Sequence, residues 1–223
     1  MKYSLIIPVY NEINTINRLL HELESLKLYI DNEIIIIDDG SNDGTGIVLG
    51  NYKFIKLVKL ANNSGKGTAL RKGLEIALYD KIIIFDGDME LYPKDILKLM
   101  ILNKEKNINC VFGIRKKHLS LRYPFWSLGN YILTVTFNMI NKSNLKDSLC
   151  CAKSFYKEFI NHENLNSKGF DIDIEIASLL IENTDSIKTI PLEYDRRTKK
   201  EGKKLRITHG WLIFKRLSKK ILK

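Results

Sequence analysis

The chain is poor in cysteine and histidine, and each scarcity excludes a class of chemistry. Its three cysteines, Cys110, Cys150 and Cys151, are an odd set with no Cys-x-x-Cys spacing. That excludes a disulfide framework and a structural zinc site, and fits a reducing compartment. The histidines, His21, His118, His162 and His209, are scattered without metal-ligand spacing. No Ser/His/Asp or Cys/His arrangement for nucleophilic catalysis stands out. No run of about 18 apolar residues occurs, so no transmembrane helix is expected. The N-terminal apolar stretch is too short for a signal peptide and meets charge at Glu12. Internal repeats and low-complexity linkers are absent as well.

What is present describes a folded enzyme-sized domain. The chain has 223 residues, 44% hydrophobic and 28% charged. One domain of this length buries a sizeable core without covalent staples. The net charge of +10 is unevenly placed. Residues 196–223 carry twelve Lys/Arg against the single acid Glu201, a net of +11, and the other residues sum to −1. The compositional boundary divides a body, 1–195, from a basic C-terminal segment, 196–223. Such asymmetry suggests an anionic partner: an acidic membrane, a phosphorylated substrate or nucleic acid. A solubilising tail is the plain alternative. Nucleic acid is not the expected partner, because the body is not basic and the tail has no aromatic-interleaved basic motif.

The body alternates strand-like and helix-like segments. Tyr3–Pro8, Glu33–Asp38, Phe54–Lys59, Lys81–Phe85 and Asn109–Gly113 read as strands, several of them apolar throughout, as strands buried on both faces are. Ile16, Leu19, Leu20, Leu23 and Leu26 follow helical spacing, as does Lys66–Tyr79, and Pro93 opens a helix through about Leu102. Further on, Ala152–Lys157 and Ser186–Tyr194 read as strands and Phe170–Ile181 as a helix. This rhythm predicts an α/β fold with a mostly parallel sheet flanked by helices.

Ligands of open α/β sheets sit at the carboxyl ends of the strands. Three of the strands run into polar clusters there: Pro8-Val9-Tyr10-Asn11-Glu12, Asp38-Asp39-Gly40-Ser41 and Asp86-Gly87-Asp88-Met89-Glu90. Five carboxylates on one edge (Glu12, Asp38, Asp39, Asp86 and Asp88) repel one another unless a cation or a set of donors offsets them. Mg²⁺ or Mn²⁺ held by one or two carboxylates together with phosphate oxygens is the simplest solution. Asp86 and Asp88 straddle a glycine, and Glu90 can add a third oxygen. Taken singly, each cluster is equally a turn or a helix cap.

Together and in this order, IIPVYNE, IIIIDDGSNDGT, NNSGKGTALRKG and IIIFDGDMELYP resemble the nucleotide-sugar half of inverting family 2 glycosyltransferases, which have the GT-A (Rossmann-like) fold. Downstream, VFGIR, SLGNYILTVTFNMI, LKDSLCCAKSF, GFDIDIEI and IPLEYDRR…EGKKLRITHGW resemble the branch that includes polyprenyl-phosphate glycosyltransferases such as dolichyl-phosphate mannose synthases. The resemblance implies that Pro8, Tyr10 and Glu12 border the nucleotide and that Asp39 hydrogen-bonds the base. It implies that Lys66 lies near the nucleotide, the alternative being an exposed lysine opening a helix. Asp86 and Asp88 match the Asp-x-Asp metal motif, with Glu90 at a position that often carries a Gln. Arg115 and Arg197 match positions that face phosphates, Arg196 being an alternative to Arg197.

The implied activity is transfer of a hexose from a GDP- or UDP-linked sugar to a polyprenyl or dolichyl phosphate, with inversion. A phosphate acceptor is already anionic and needs positioning more than deprotonation. The rival reading, a hydroxyl acceptor on a glycan, glycolipid or protein, needs a carboxylate base. Asp147, Asp171 and Asp173 are the candidates for it, and Asp173 is the one carried as a catalytic residue beside Asp88 and Arg115.

The tail reads THGWLIFKRLSKKILK from Thr208. Trp211, Phe214, Leu217 and Ile221 recur at three- and four-residue steps among lysines and arginines, the pattern of a basic amphipathic helix in a membrane interface. Docking of the same face on the body is the alternative. Both tryptophans, Trp126 and Trp211, fall in segments assigned to the lipid surface. The expected location is therefore peripheral, at the cytoplasmic face of a membrane, with room for a separate membrane-spanning partner.

Overall fold

Runs of isoleucine, leucine and valine build the sheet. The computed structural model describes residues 2–27, 33–116, 124–198, 201–204 and 207–221, without the side chains of 124–127, 207–209 and 218–221. Among these, the strands are β1 (Ser4–Val9), β2 (Glu33–Asp38), β3 (Lys56–Lys59), β4 (Lys81–Ile84), β5 (Cys110–Arg115), β6 (Lys153–Tyr156) and β7 (Ile187–Leu192). They form one sheet in the order β3-β2-β1-β4-β6-β5-β7. β1 pairs parallel with β2 and β4, and β2 with β3. β6 runs antiparallel between β4 and β5, and β5 pairs parallel with β7. Two successive reversals restore the direction. β5 and β7 therefore point the same way as β1, β2 and β4, and their carboxyl ends share one edge.

The helices are α1 (Ile16–Lys27), α2 (Thr45–Leu49), α3 (Lys66–Ile76), α4 (Ile96–Leu99), α5 (Pro124–Asn141), α6 (Ile172–Asn183) and α7 (Ile207–Ile221). Alternate residues of each strand face opposite layers. Leu5, Ile7, Ile34 and Ile36 pack with α1 and α4, whereas Ile6, Ile35 and Ile37 pack with α3 and α6. All five apolar positions picked out on α1 are buried.

Three local expectations need correction. The helix read over Lys66–Tyr79 ends at Ile76. The third strand begins at Lys56 rather than Phe54. The helix expected from Pro93 to about Leu102 is a 3₁₀ turn, Pro93–Asp95, followed only by α4. The reason is tertiary: Leu102 is held by its neighbours, its N–H donating to the Tyr3 hydroxyl (3.0 Å) and its carbonyl accepting from Lys81 (2.9 Å). An aromatic-rich stretch that carried no helical expectation forms α5. Tyr123 and His118 lie outside the described residues, as do the side chains of Phe125, Trp126, His209 and Ile221.

α7 has two apolar faces. Ile213 and Leu217 are buried in the core layer that also holds Phe137 of α5, while Trp211 (68% exposed) and Phe214 (43%) stack on one another outside it. Arg216 fixes the docking through Asp171 (3.0 Å) and Glu175 (2.9 Å) of the α6 region. The single face expected from the sequence is thus divided between core and exterior. Leu217→Ala should weaken α7 docking by about 2–3 kcal/mol and Trp211→Ala by under about 0.5 kcal/mol. Amide exchange along α7 measures both, and equal effects would contradict the division of faces.

Candidate active site

Eleven of the residues singled out from the sequence line one cavity of about 610 Å³ at the carboxyl edge, as does Arg196, whereas Asp38, Asp147 and Asp171 do not line it. Pro8, Tyr10 and Glu12 come from the turn after β1, Asp39 from the end of β2, and Lys66 from the start of α3. Asp86, Asp88 and Glu90 follow β4, Arg115 ends β5, Asp173 opens α6, and Arg197 follows β7. Residues without a role in the sequence reading join them, notably Tyr194, Lys203, Lys204 and Phe170. The signal for the lysines in the sequence is the basic charge of the tail, which by itself suggests attraction to a membrane. Arg197, Lys203, Lys204 and Arg216, four of the tail's twelve cations, turn inward onto carboxylates of the body.

Local chemistry sets the loops. Asn11 adopts φ +47°, a left-handed conformation asparagine tolerates, and clasps the β2 loop: its N–H donates to Ser41 Oγ and its Oδ1 accepts from Asn42 N–H, both at 2.9 Å. Asp39 accepts from the N–H groups of Ser64 and Gly65, each at 2.8 Å, and so tethers the loop before α3. Burial, with the Asp38 charge adding to it, raises the Asp39 carboxyl above its ordinary range. In the Gly65-Lys66-Gly67 turn, a Cβ on either glycine would collide with the backbone of Ser167 or Lys168. Gly65 is also at φ +93°. Two glycines therefore let the α6 approach lie against α3, which brings Lys66 to Asp173.

The carboxylates are compensated unequally. Lys66 Nζ stands between Asp86 (2.7 Å) and Asp173 (2.8 Å). Burial opposes its charge, but Asp173 and then Asp86 hold the ammonium well above its ordinary pKa. Glu12 takes a two-pronged contact from Arg197, 2.7 and 3.0 Å, and an ion pair from Lys204. Glu90 accepts from the Tyr194 hydroxyl (3.0 Å), the Arg197 N–H (3.1 Å) and Lys203. Arg115 is bidentate on Asp147, 2.7 Å at both oxygens, and lies over the Tyr194 ring.

Asp88 differs. Its Oδ1 accepts from the Glu90 N–H (3.0 Å), and it forms a long ion pair with Arg197 at 3.7 Å. Burial, then the charges of Asp86 and Glu90, pushes its carboxyl up to about 7. Such weakly compensated negative charge in a turn facing a cavity suits a divalent cation. Among the described residues no three His, Cys, Asp or Glu side chains form a self-sufficient ion cage. This donor set fits an ion completed by phosphate oxygens and water.

The chain is similar to several known proteins. The model described as "Glycosyl transferase family 2" matches residues 4–165. An uncharacterized protein of Methanocaldococcus jannaschii is 35% identical over 185 residues, which cover 77% of this chain and 79% of that one. The dolichol-phosphate mannosyltransferase of Pyrococcus furiosus is 24% identical over 212 residues, 91% of this chain and 59% of the relative, which is thus considerably longer. Among solved structures, glucosyl-3-phosphoglycerate synthase from Mycobacterium tuberculosis, in complex with Mn²⁺, UDP and glucosyl-3-phosphoglycerate, superimposes with a TM-score of 0.68 at 18% identity, covering 98% of this chain and 79% of that one. That likeness shows the GT-A fold.

Proposed function

The chain belongs to glycosyl transferase family 2, and from that premise we propose that it moves a hexose from a nucleoside-diphosphate sugar to a polyprenyl phosphate. In this reaction the bond from the anomeric carbon to the diphosphate breaks, its electron pair leaving with the nucleoside diphosphate. An oxygen of the lipid phosphate forms the new bond from the opposite face, with inversion.

One observation carries the choice of acceptor. Each carboxylate considered as a base is bound to a cation: Asp147 to Arg115, Asp171 to Arg216 and Asp173 to Lys66. A hydroxyl acceptor needs a carboxylate at liberty to take a proton, whereas a phosphate does not. The cavity is also lined by the cations Lys66, Arg115, Arg197, Lys203 and Lys204, each paired with a carboxylate, and phosphate groups are natural further ligands for such cations. Arg197 Nε is a buried donor that makes no hydrogen bond, which fits an anionic ligand near this guanidinium. The relative from Pyrococcus furiosus, a dolichol-phosphate mannosyltransferase by name, supports the same reading.

In the mechanism that follows, Pro8, Tyr10 and Asp39 border the nucleoside, and Arg197 with Lys204 meets its diphosphate. Asp88, with Asp86 across Gly87, would hold Mg²⁺ or Mn²⁺. When bound, the ion supplies positive charge to the departing diphosphate. Arg115, fixed in orientation by Asp147, presents its remaining N–H groups to the acceptor phosphate. Lys66 and Asp173 hold Asp86 in place.

The lipid surface is proposed to lie against α5 and α7. On α5, Leu128, Tyr131, Ile132, Val135 and Met139 form an exposed apolar stripe, and α7 packs beside it with Trp211, Leu212 and Phe214 exposed. Asn130 of α5 and Leu149 line the cavity, so this platform adjoins its mouth. No helix among the described residues is long and apolar enough to cross a membrane.

The test is a screen of GDP- and UDP-sugars with polyprenyl phosphate, scoring lipid-soluble, mild-acid-labile product. Asp173→Asn should keep at least about a tenth of wild-type kcat and leave the shape of the pH–rate profile unchanged, since no limb belongs to a base at this position. Arg115→Lys, which keeps the charge on Asp147 but loses the bidentate fork, should raise the acceptor KM about ten-fold or more at unchanged donor KM. An inactive but folded Asp173→Asn beside a normal Arg115→Lys would favour the hydroxyl acceptor.

A further inference from the structure

We propose that Arg216 of α7 is a positioning residue for the cavity: by bridging two acids at the start of α6 it holds Asp173, and through Asp173 also Lys66, in place. The sequence of the α6 start shows the need. Asp171, Asp173 and Glu175 follow one another at two-residue steps, and Asp171 already has helical angles (φ −68°, ψ −10°). Asp171 and Glu175, four residues apart, share one face of the helix, whereas Asp173 falls on the opposite one. Asp173 accordingly lines the cavity, and the other two meet α7. Like charges four residues apart repel. Arg216 resolves this with its fork, Nε on Asp171 Oδ2 (3.0 Å) and one terminal nitrogen on Glu175 Oε1 (2.9 Å).

The two acids that Arg216 braces hold the loop before α6. Glu175 accepts from the N–H groups of Asn166 (3.0 Å) and Ser167 (2.8 Å), and Asp171 accepts from the Ser167 hydroxyl (2.6 Å). This loop is the surface on which α3 begins. The Gly67 N–H donates to the Lys168 carbonyl at 2.8 Å, and Arg71 of α3 donates to the Leu165 carbonyl at 2.7 Å. Between Gly65 and Gly67 stands Lys66, whose ammonium joins Asp173 to Asp86. A shift of the α6 start therefore moves both the lysine and the acid it holds. Arg216 does not line the cavity, so it acts through these contacts. α7 thus has two tasks on two faces, with Trp211 and Phe214 outward and Arg216 inward. The brace stands on the contacts themselves, and only its consequence for the reaction rests on the reading given under Proposed function.

The experiment compares full-chain Arg216→Met and Leu217→Ala with wild type in the absence of lipid. Amide exchange is read at Ser167, at Gly67 and in β1 and β4. Affinity for GDP or UDP, whichever wild type binds, is read by calorimetry in Mn²⁺. Arg216→Met should speed exchange at both Ser167 and Gly67 at least about ten-fold while β1 and β4 stay protected. Its nucleotide affinity should fall about ten-fold, because Lys66 and Asp86 lose their fixed positions. Leu217→Ala loosens α7 from the core but leaves both acids braced, so its affinity should stay within about three-fold of wild type. In turnover, Arg216→Met should raise the KM for nucleotide-sugar about ten-fold and leave the acceptor KM within about three-fold. Asp171→Asn should add less than about two-fold in the Arg216→Met background, since the two act as one unit. If Arg216→Met does not fold, Arg216→Lys keeps the charge without the fork and should show the same pattern at about three-fold. Fast exchange at Ser167 with unchanged Gly67 and unchanged affinity, or an equal loss of affinity in Leu217→Ala, overturns the proposal. A wild-type chain that binds neither nucleotide, while Arg216→Met still speeds exchange at both amides, retains the brace and sinks the function.

Discussion

Asp88→Asn is expected to lower kcat at least about 10³-fold, since the charge a divalent ion contributes to a departing diphosphate is worth several kcal/mol. The same substitution should make the metal-free protein more stable at pH 7.5. The sign follows from the raised carboxyl, about 7 against an ordinary 3.8. Between those values the native state binds a proton that the unfolded chain has released. Stability from this group is therefore full below about pH 4 and is lost as pH rises through 7. Asparagine carries no charge to repel Asp86 and Glu90, so it escapes the loss. The side chain is 31% exposed, and screening reduces the gain to on the order of 1 kcal/mol, or roughly 2–4 °C in Tm. Adding Mn²⁺ should stabilise wild type at pH 7.5 and leave the variant unchanged. Thermal unfolding at pH 5 and 7.5, with and without Mn²⁺, checks this beside the assay. Full transfer activity in Asp88→Asn would falsify the metal assignment.

The second large effect concerns the membrane. Trp211→Glu with Phe214→Glu should weaken binding to anionic vesicles on the order of 100-fold, because two partly exposed aromatics lose about 1–2 kcal/mol each of apolar transfer. Lys215→Gln should cost only about 1 kcal/mol, or some five-fold. High salt should reduce binding without ending it, since screening acts on charge and not on apolar burial. Truncation after Tyr194 is a poor test here. It removes Arg197, Lys203 and Lys204 from the cavity, and Ile213 and Leu217 from the core, along with the exposed face. Vesicle co-sedimentation of folded point variants separates these roles. Equal binding by wild type and the double glutamate variant would place the lipid surface elsewhere.

The sequence by itself determined the parts whose information is local. Apolar runs such as EIIIID specify buried strands, and polar clusters at their ends mark a ligand edge, because pattern and turn chemistry act over a few residues. Eleven of the named residues consequently meet in one cavity, while Asp38, Asp147 and Asp171 stand outside its lining. The tertiary structure alone decided which acid meets which cation. Lys66 and Asp173 are 107 residues apart, and Glu12 and Arg197 are 185 apart. Their pairing depends on strand order, above all on β6 reversing between β4 and β5, and a four-residue strand carries no local mark of its direction. The same holds for α7. Its periodicity showed an apolar stripe, but only the packing of α5 and α6 could assign Leu217 to the core and Trp211 to the outside, since an amphipathic helix buries whichever part of its stripe finds a partner.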